Sequence, residues 1–166
     1  MSAVLVAGVG NLFLGDDGFG CEVARRLASR LGARAEVRDF GIRALDLKYA
    51  LERHAHAVVI DVTRRGGSPG TLYVLDPATE ERVSDVVAHH GMVATDVVQW
   101  AVERGRQGDN PRALRIVACE PESFGDEEEG RLGLSDPVAA SVEGAVRIVE
   151  DLVAELAGEK PCTSWG

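Results

Sequence analysis

The feature that most constrains this chain is a glycine-rich turn set between an apolar run and an amphipathic segment: Gly8-Val9-Gly10-Asn11-Leu12-Phe13-Leu14-Gly15-Asp16-Asp17-Gly18-Phe19-Gly20. Ala3 to Ala7, just before it, is continuously apolar, the pattern of a strand buried on both faces. After it Cys21, Val23, Ala24, Leu27, Ala28 and Leu31 recur at helical spacing over 18–31, and Gly32 supplies a stop. The unit is a strand, a turn and a helix. Its glycines let backbone amides approach a ligand closely, but the turn ends in two adjacent carboxylates and no lysine. It therefore suits a metal ion better than a phosphate.

The alternation continues. Strands are predicted over 35–40 and 56–62 with a helix over 45–53 between them, which means a parallel sheet with helices on both faces. Only a Gly/Arg/Ser/Pro loop over 63–69 precedes the strand expected at Gly70 to Leu75. That connection is too short for a right-handed helical crossover, so the fourth strand should run antiparallel at an edge. A helix over 91–103 and a fifth strand over 114–119 follow. The last helix is capped by Ser135 or Asp136, takes Pro137 into its first turn, and repeats apolar residues from Val138 to Leu156. No repeat, linker or low-complexity tract divides the chain, which predicts one domain over 1–157 and a loose tail over 158–166.

A formal charge of -9 argues against a nucleic-acid surface and against anionic lipid, and leaves a protein or peptide as the fitting partner. The three cysteines, Cys21, Cys119 and Cys162, form no C-x-x-C pair, so neither a disulfide framework nor a zinc ribbon is indicated. No apolar run reaches the roughly 18 residues of a membrane span. A soluble, cytoplasmic protein is expected.

Ligands of open α/β sheets bind beyond the carboxyl ends of the strands, where strand order reverses. For an order 2-1-3 that crevice lies between the first and third strands. Asp16 and Asp17 follow the first, Asp61 ends the apolar run of the third, and His89-His90 precedes the helix after the fourth. Two carboxylates and an imidazole make an incomplete ligand set for a divalent transition metal such as nickel or zinc. Each residue also has a plain structural reading. Asp16 or Asp17 would be favoured at any helix start, and two neighbours do not easily face one crevice. Asp61 could accept amides of the next turn, and His90 could cap its helix or lie on the surface.

A dinucleotide site is disfavoured, because Phe13 stands where the fingerprint needs its third glycine and Asp16-Asp17 would repel a pyrophosphate. Cys119 reads as core. Glu127-Glu128-Glu129 reads as a solvated loop, and Arg64-Arg65-Gly66-Gly67 as a mobile turn whose arginines could meet a carboxylate on a partner.

The chain resembles the endopeptidases that mature the large subunit of nickel-iron hydrogenases. The resemblance rests on the run Val6 to Gly20, on Asp61 with Pro69-Gly70-Thr71 after it, on His90 six residues before Asp96, and on Glu120-Pro121-Glu122 followed by Gly133-Leu134-Ser135. It implies a three-layer α/β/α domain with a five-stranded mixed sheet of order 2-1-3-5-4 and strand four antiparallel. It also implies that Asp17, Asp61 and His90 form the metal and catalytic site, binding nickel carried by the substrate or a surrogate such as cadmium or zinc. The expected partner is a hydrogenase large-subunit precursor, and the expected reaction is removal of a short C-terminal peptide. Asp39-Phe40-Gly41-Ile42-Arg43 departs from the Asp-x-Gly-Thr pattern common in the family, which leaves the substrate isoform open. A nickel-sensing chaperone that cuts nothing, and a metal-dependent peptidase with another substrate, are the alternatives. A nucleotide-binding oxidoreductase is a remoter third.

Overall fold

A computed structural model describes residues 3–79, 92–126 and 128–158. Its elements in chain order are β1 (Val4–Val9), α1 (Phe19–Ala28), β2 (Glu36–Gly41), α2 (Ala44–Arg53), β3 (His56–Val62), β4 (Leu72–Leu75), α3 (Met92–Arg106), β5 (Ala113–Cys119) and α4 (Asp136–Leu156). The five strands form one sheet of order β2-β1-β3-β5-β4. β1 pairs in parallel with β2 and β3, β3 pairs in parallel with β5, and only β4 runs antiparallel, against β5. The short 63–71 connection dictates that reversal, as the sequence predicts.

Side chains alternate across the central strands and so divide the core into two layers. Val4, Val6, Val58, Ile60 and Val117 pack with Phe19, Val23 and Leu27 of α1 and Val142, Val146 and Val149 of α4. Leu5, Ala7, Val59 and Ile116 pack on the other face with Leu47 and Leu51 of α2 and Val98, Ala101 and Val102 of α3. β1 and β3 are buried nearly end to end, which is why their sequences are mainly apolar runs without alternation, and β5 is buried from Ile116 to Cys119.

Element ends differ from expectation by up to three residues. α1 ends at Ala28, before Leu31, because the chain tightens into a 3-10 turn at Gly32–Arg34 entered through buried Leu31, with Gly32 at φ +54°. Ser135 is the N-cap residue of α4 and Pro137 falls in its first turn, but the hydroxyl makes no capping bond to the helix. It is used elsewhere, as shown below. The carboxyl ends of β1, β2, β3 and β5 all open on the same side, and their loops assemble there.

Candidate functional site

Gly10 leaves β1 at φ +134°, and a Cβ there would collide with the backbone carbonyl of Asp17. This glycine lets the chain fold back on itself, so that the 3-10 turn Gly15–Gly18 lies over the end of β1. α1 then begins against the sheet. A Cβ on Gly20 would meet the carbonyls of Val9 and Ile60, and one on Gly8 would meet the carbonyl of Gly20. The glycine spacing of the turn is thus a packing requirement at two levels, and it delivers residues 16 and 17 to the crevice between β1 and β3.

The two aspartates then diverge. Asp16 is fully buried and turned into the protein, where its carboxylate accepts from four donors. The Glu122 and Ser123 amides donate to Oδ2 at 2.8 and 3.0 Å, the Ser135 hydroxyl to Oδ2 at 2.9 Å, and the Ser135 amide to Oδ1 at 2.7 Å. Asp16 therefore ties the turn after β1 to the loop after β5 and to the head of α4. This is where the Ser135 hydroxyl goes. A fully buried carboxylate with four donors from three segments on it is a structural clamp.

Asp17 has a different partner, its Oδ2 accepting the Asn11 amide at 2.9 Å. Asp61 lies on the β3 parity of Ala57 and Val59, the sheet face covered by α2 and α3, and its Oδ1 accepts the Val62 amide at 2.8 Å. Burial lifts the Asp61 carboxyl well above the ordinary carboxylate range; the Val62 amide opposes that rise and the negative charge of Asp17 adds to it. Two carboxylates that repel one another in a largely dehydrated crevice favour anything that neutralises them, a proton or a cation. Residues 80–91, and His90 with them, lie outside the described residues. α3, which follows them in sequence, packs on the face to which Asp61 belongs. Among the described residues no three His, Cys, Asp or Glu side chains converge as a ready-made metal cluster.

The crevice has two further supports that the sequence did not disclose. Glu120, at the end of β5 and buried, accepts the Arg65 amide on both carboxylate oxygens at 3.1 and 3.0 Å. Backbone bonds from Thr63 to Cys119, Gly70 to Glu120 and Glu120 to Thr71 complete the tether. The 64–67 turn is exposed, and its base is anchored. The signal was available, since Glu120 follows β5 at the same end of the sheet as Asp17 and Asp61. Asp39, at the same end of β2, accepts the Gly41 amide at 2.9 Å and lies beside the Cys21 thiol. Burial first, and Asp39 next, push that thiol well above its usual range, while burial pushes Cys119 up to about 11. Both cysteines are free, buried thiols, and the reading of Cys119 as core holds. No helix among the described residues is long and apolar enough to cross a membrane.

Fold and crevice together define a class: a small three-layer α/β/α domain whose site is built from carboxylates at the reversal of strand order and not from a phosphate-binding loop. A family model described as hydrogenase maturation protease (HycI) matches residues 21–152. The chain is 28% identical over 156 residues to the hydrogenase expression/formation protein HoxM of Azotobacter vinelandii, covering 92% of this chain and 72% of the relative. It is likewise 28% identical to a putative hydrogenase maturation protease of Methanocaldococcus jannaschii, covering 88% and 93%. Its fold superimposes on the hydrogenase-maturating endopeptidase HybD from E. coli with a TM-score of 0.76 at 25% identity, covering 95% and 94% of the two chains. The chain belongs to the hydrogenase maturation protease family, and with it to the endopeptidases among the hydrolases.

Proposed function

We propose that this protein recognises the nickel-loaded precursor of a nickel-iron hydrogenase large subunit and hydrolyses one peptide bond near its C-terminus, releasing a short tail. The observation that supports the reading is the charge of Asp17 acting on buried Asp61, the two residues lying at the ends of neighbouring parallel strands in a chain of this family. The nickel is cargo of the substrate. Asp17, Asp61 and His90 are the side chains assigned to engage it, two oxygens and one nitrogen of a set that leaves positions for the precursor's own ligands. Cadmium or zinc would serve as surrogates for the same donors.

Asp61 has a second part in this reading. Burial and the charge of Asp17 raise its carboxyl, so a cation entering the crevice competes with a proton there, and that competition lowers the affinity for free metal. Such a site answers to an ion presented by a partner more readily than to an ion in solution. Engagement would fix the neighbouring peptide relative to the crevice, which supplies proximity. In the cleavage itself water oxygen bonds to the carbonyl carbon, the C–N bond breaks, and the departing amine takes the proton. The two buried free thiols fit a reducing compartment, and we assign the reaction to the cytoplasm.

The test is to incubate the precursor with the protein, with and without prior nickel insertion, and to follow its mass. Loss of a C-terminal fragment only from the nickel-loaded form supports the reading. An unchanged mass with nickel present refutes cleavage, and a stable complex with intact precursor would make the protein a maturation chaperone. Cleavage of unrelated peptides together with tight free-metal binding would point to a metal-dependent peptidase of another specificity.

A further inference from the structure

Seven large apolar side chains stand exposed among the described residues. Five of them, Leu12, Phe13, Ile42, Leu45 and Leu132, lie at the carboxyl end of the sheet. Hydrogen bonds place their three segments side by side. The Arg131 amide donates to the Phe13 carbonyl at 2.7 Å and the Gly15 amide to the Arg131 carbonyl at 2.8 Å, which joins the 11–15 turn to the loop carrying Leu132. On the other flank the Gly10 amide donates to the Gly41 carbonyl at 3.0 Å and brings up Ile42 and Leu45. Phe13, Ile42 and Leu132 are 66, 77 and 75% exposed. Apolar residues gathered so around a site gain nothing for the fold and mark a surface that is covered in use.

The same mouth carries a cation. Arg64, three residues beyond Asp61, is exposed and lays its guanidinium 4.7 Å from the Phe124 ring. Among the described residues it makes no ion pair. Phe124 in turn borders Gly15, so Arg64 stands at the edge of the apolar rim. The loop bearing Arg64 is held in place by buried Glu120. In a chain of net charge -9, an anchored and unpaired arginine beside an apolar surface complements an acidic group on whatever lands there.

We propose that this rim is where the substrate polypeptide docks, with an apolar segment seated on Leu12, Phe13, Ile42 and Leu132 and an acidic group of the same segment paired with Arg64. The inference rests on the reading that the chain processes a large-subunit precursor, and it adds the chemistry of the segment recognised. A second copy of this chain is the competing occupant; like charges of -9 on each copy disfavour it.

The test uses the nickel-loaded precursor as probe, with a Phe13→Ser/Leu132→Ser double variant and Arg64→Glu, all at exposed positions outside the carboxylate crevice. KM for the double variant should rise about tenfold with kcat within about twofold of the parent, as expected when uniform binding is removed. Arg64→Glu should raise KM about threefold or more at low salt, with the effect fading near 0.5 M NaCl, where surface charges are screened. Arg64→Lys should restore most of the loss. Unchanged KM in the double variant and in Arg64→Glu overturns the inference, and so does loss of a dimer in solution without change in KM. If the parent protein binds the precursor but does not cut it, dissociation constants from calorimetry replace KM. In that case the cleavage reading fails while the rim stands or falls on the same variants. A parent protein that neither binds nor cuts the precursor sinks both.

Discussion

Asp16 and Ser135 are separated by 119 positions in the chain and joined by two hydrogen bonds, one from the serine amide to Oδ1 and one from its hydroxyl to Oδ2. With the Glu122 and Ser123 amides on the same carboxylate, this closes the crevice from the side of β5. The consecutive aspartates thus have different work, one holding three segments together and one facing the crevice.

Alanine at each position should separate the two roles. Asp16→Ala strands four donors, two of them on buried Ser135, and should cost about 3 kcal/mol, from the desolvation of groups left without partners. Asp17→Ala removes, among its contacts, the bond from the Asn11 amide and should cost less, about 1–2 kcal/mol. Thermal melting should show a fall of roughly 10 °C for the first and a few degrees for the second, given the usual entropy of unfolding for a chain of this size. Processing of the precursor should be lost in Asp17→Ala although that variant remains folded. Equal melting losses in the two would contradict the division of roles.

Gly20→Ala addresses the packing of the turn. The added methyl would press on the carbonyls of Val9 and Ile60, which belong to two neighbouring strands and cannot both retreat. A destabilisation of about 3 kcal/mol is expected, the upper range of overpacking penalties. Because α1 would be lifted from β1 and β3 together, hydrogen exchange should speed up in both strands. Protection lost only at the N-terminus of α1 would mean that the clash is absorbed locally.

Much of this architecture is legible in the sequence where burial alone decides. β3 spans His56–Val62 as expected because an uninterrupted apolar run admits one reading, and the reversed β4 follows from the length of a loop. Contacts between distant segments are not legible. Nothing local distinguishes Asp16 from Asp17, because the donors that claim Asp16 come from residues more than 100 positions away. Glu120 likewise reads as the start of a charged loop until its amide partner at Arg65 is known. The helical rhythm runs past the true end of α1 because Leu31 keeps the apolar spacing while leading into the turn that follows. Of the expected ligand set, Asp17 lies near enough to Asp61 for its charge to act on that carboxyl, while His90 lies outside the described residues.

Glu120 offers a proteolytic test. Its carboxylate grips the Arg65 amide, so Glu120→Ala should free the exposed 64–67 turn without removing the backbone bonds at its base. Trypsin cuts after arginine only in chain that can open locally. Cleavage after Arg64 or Arg65 should therefore accelerate about tenfold in Glu120→Ala, the factor equivalent to about 1.4 kcal/mol of lost local stability. Mass spectrometry of the fragments checks the site. An unchanged cleavage rate would show that the backbone bonds suffice.

Asp61→Asn tests the electrostatic cost of the crevice. In the unfolded chain this carboxyl titrates near the ordinary value of about 4, whereas in the fold burial and then the charge of Asp17 hold it well above that. Between the two values the folded state binds more protons than the unfolded one, so stability falls as pH rises through that window and stays low beyond it. Below the ordinary carboxylate range the difference vanishes. Asparagine removes the titration yet leaves an amide oxygen to accept the Val62 N–H bond. The variant should melt roughly 3–8 °C above the parent at pH 8, about 1–2 kcal/mol for a chain of this length, and the gap should close toward pH 4. It should also lose processing activity, since a neutral amide is a poorer ligand than a carboxylate. A variant that melts below the parent at pH 8 would mean that Asp61 is stabilised as an anion, and the crevice would then not favour a cation for the reason given.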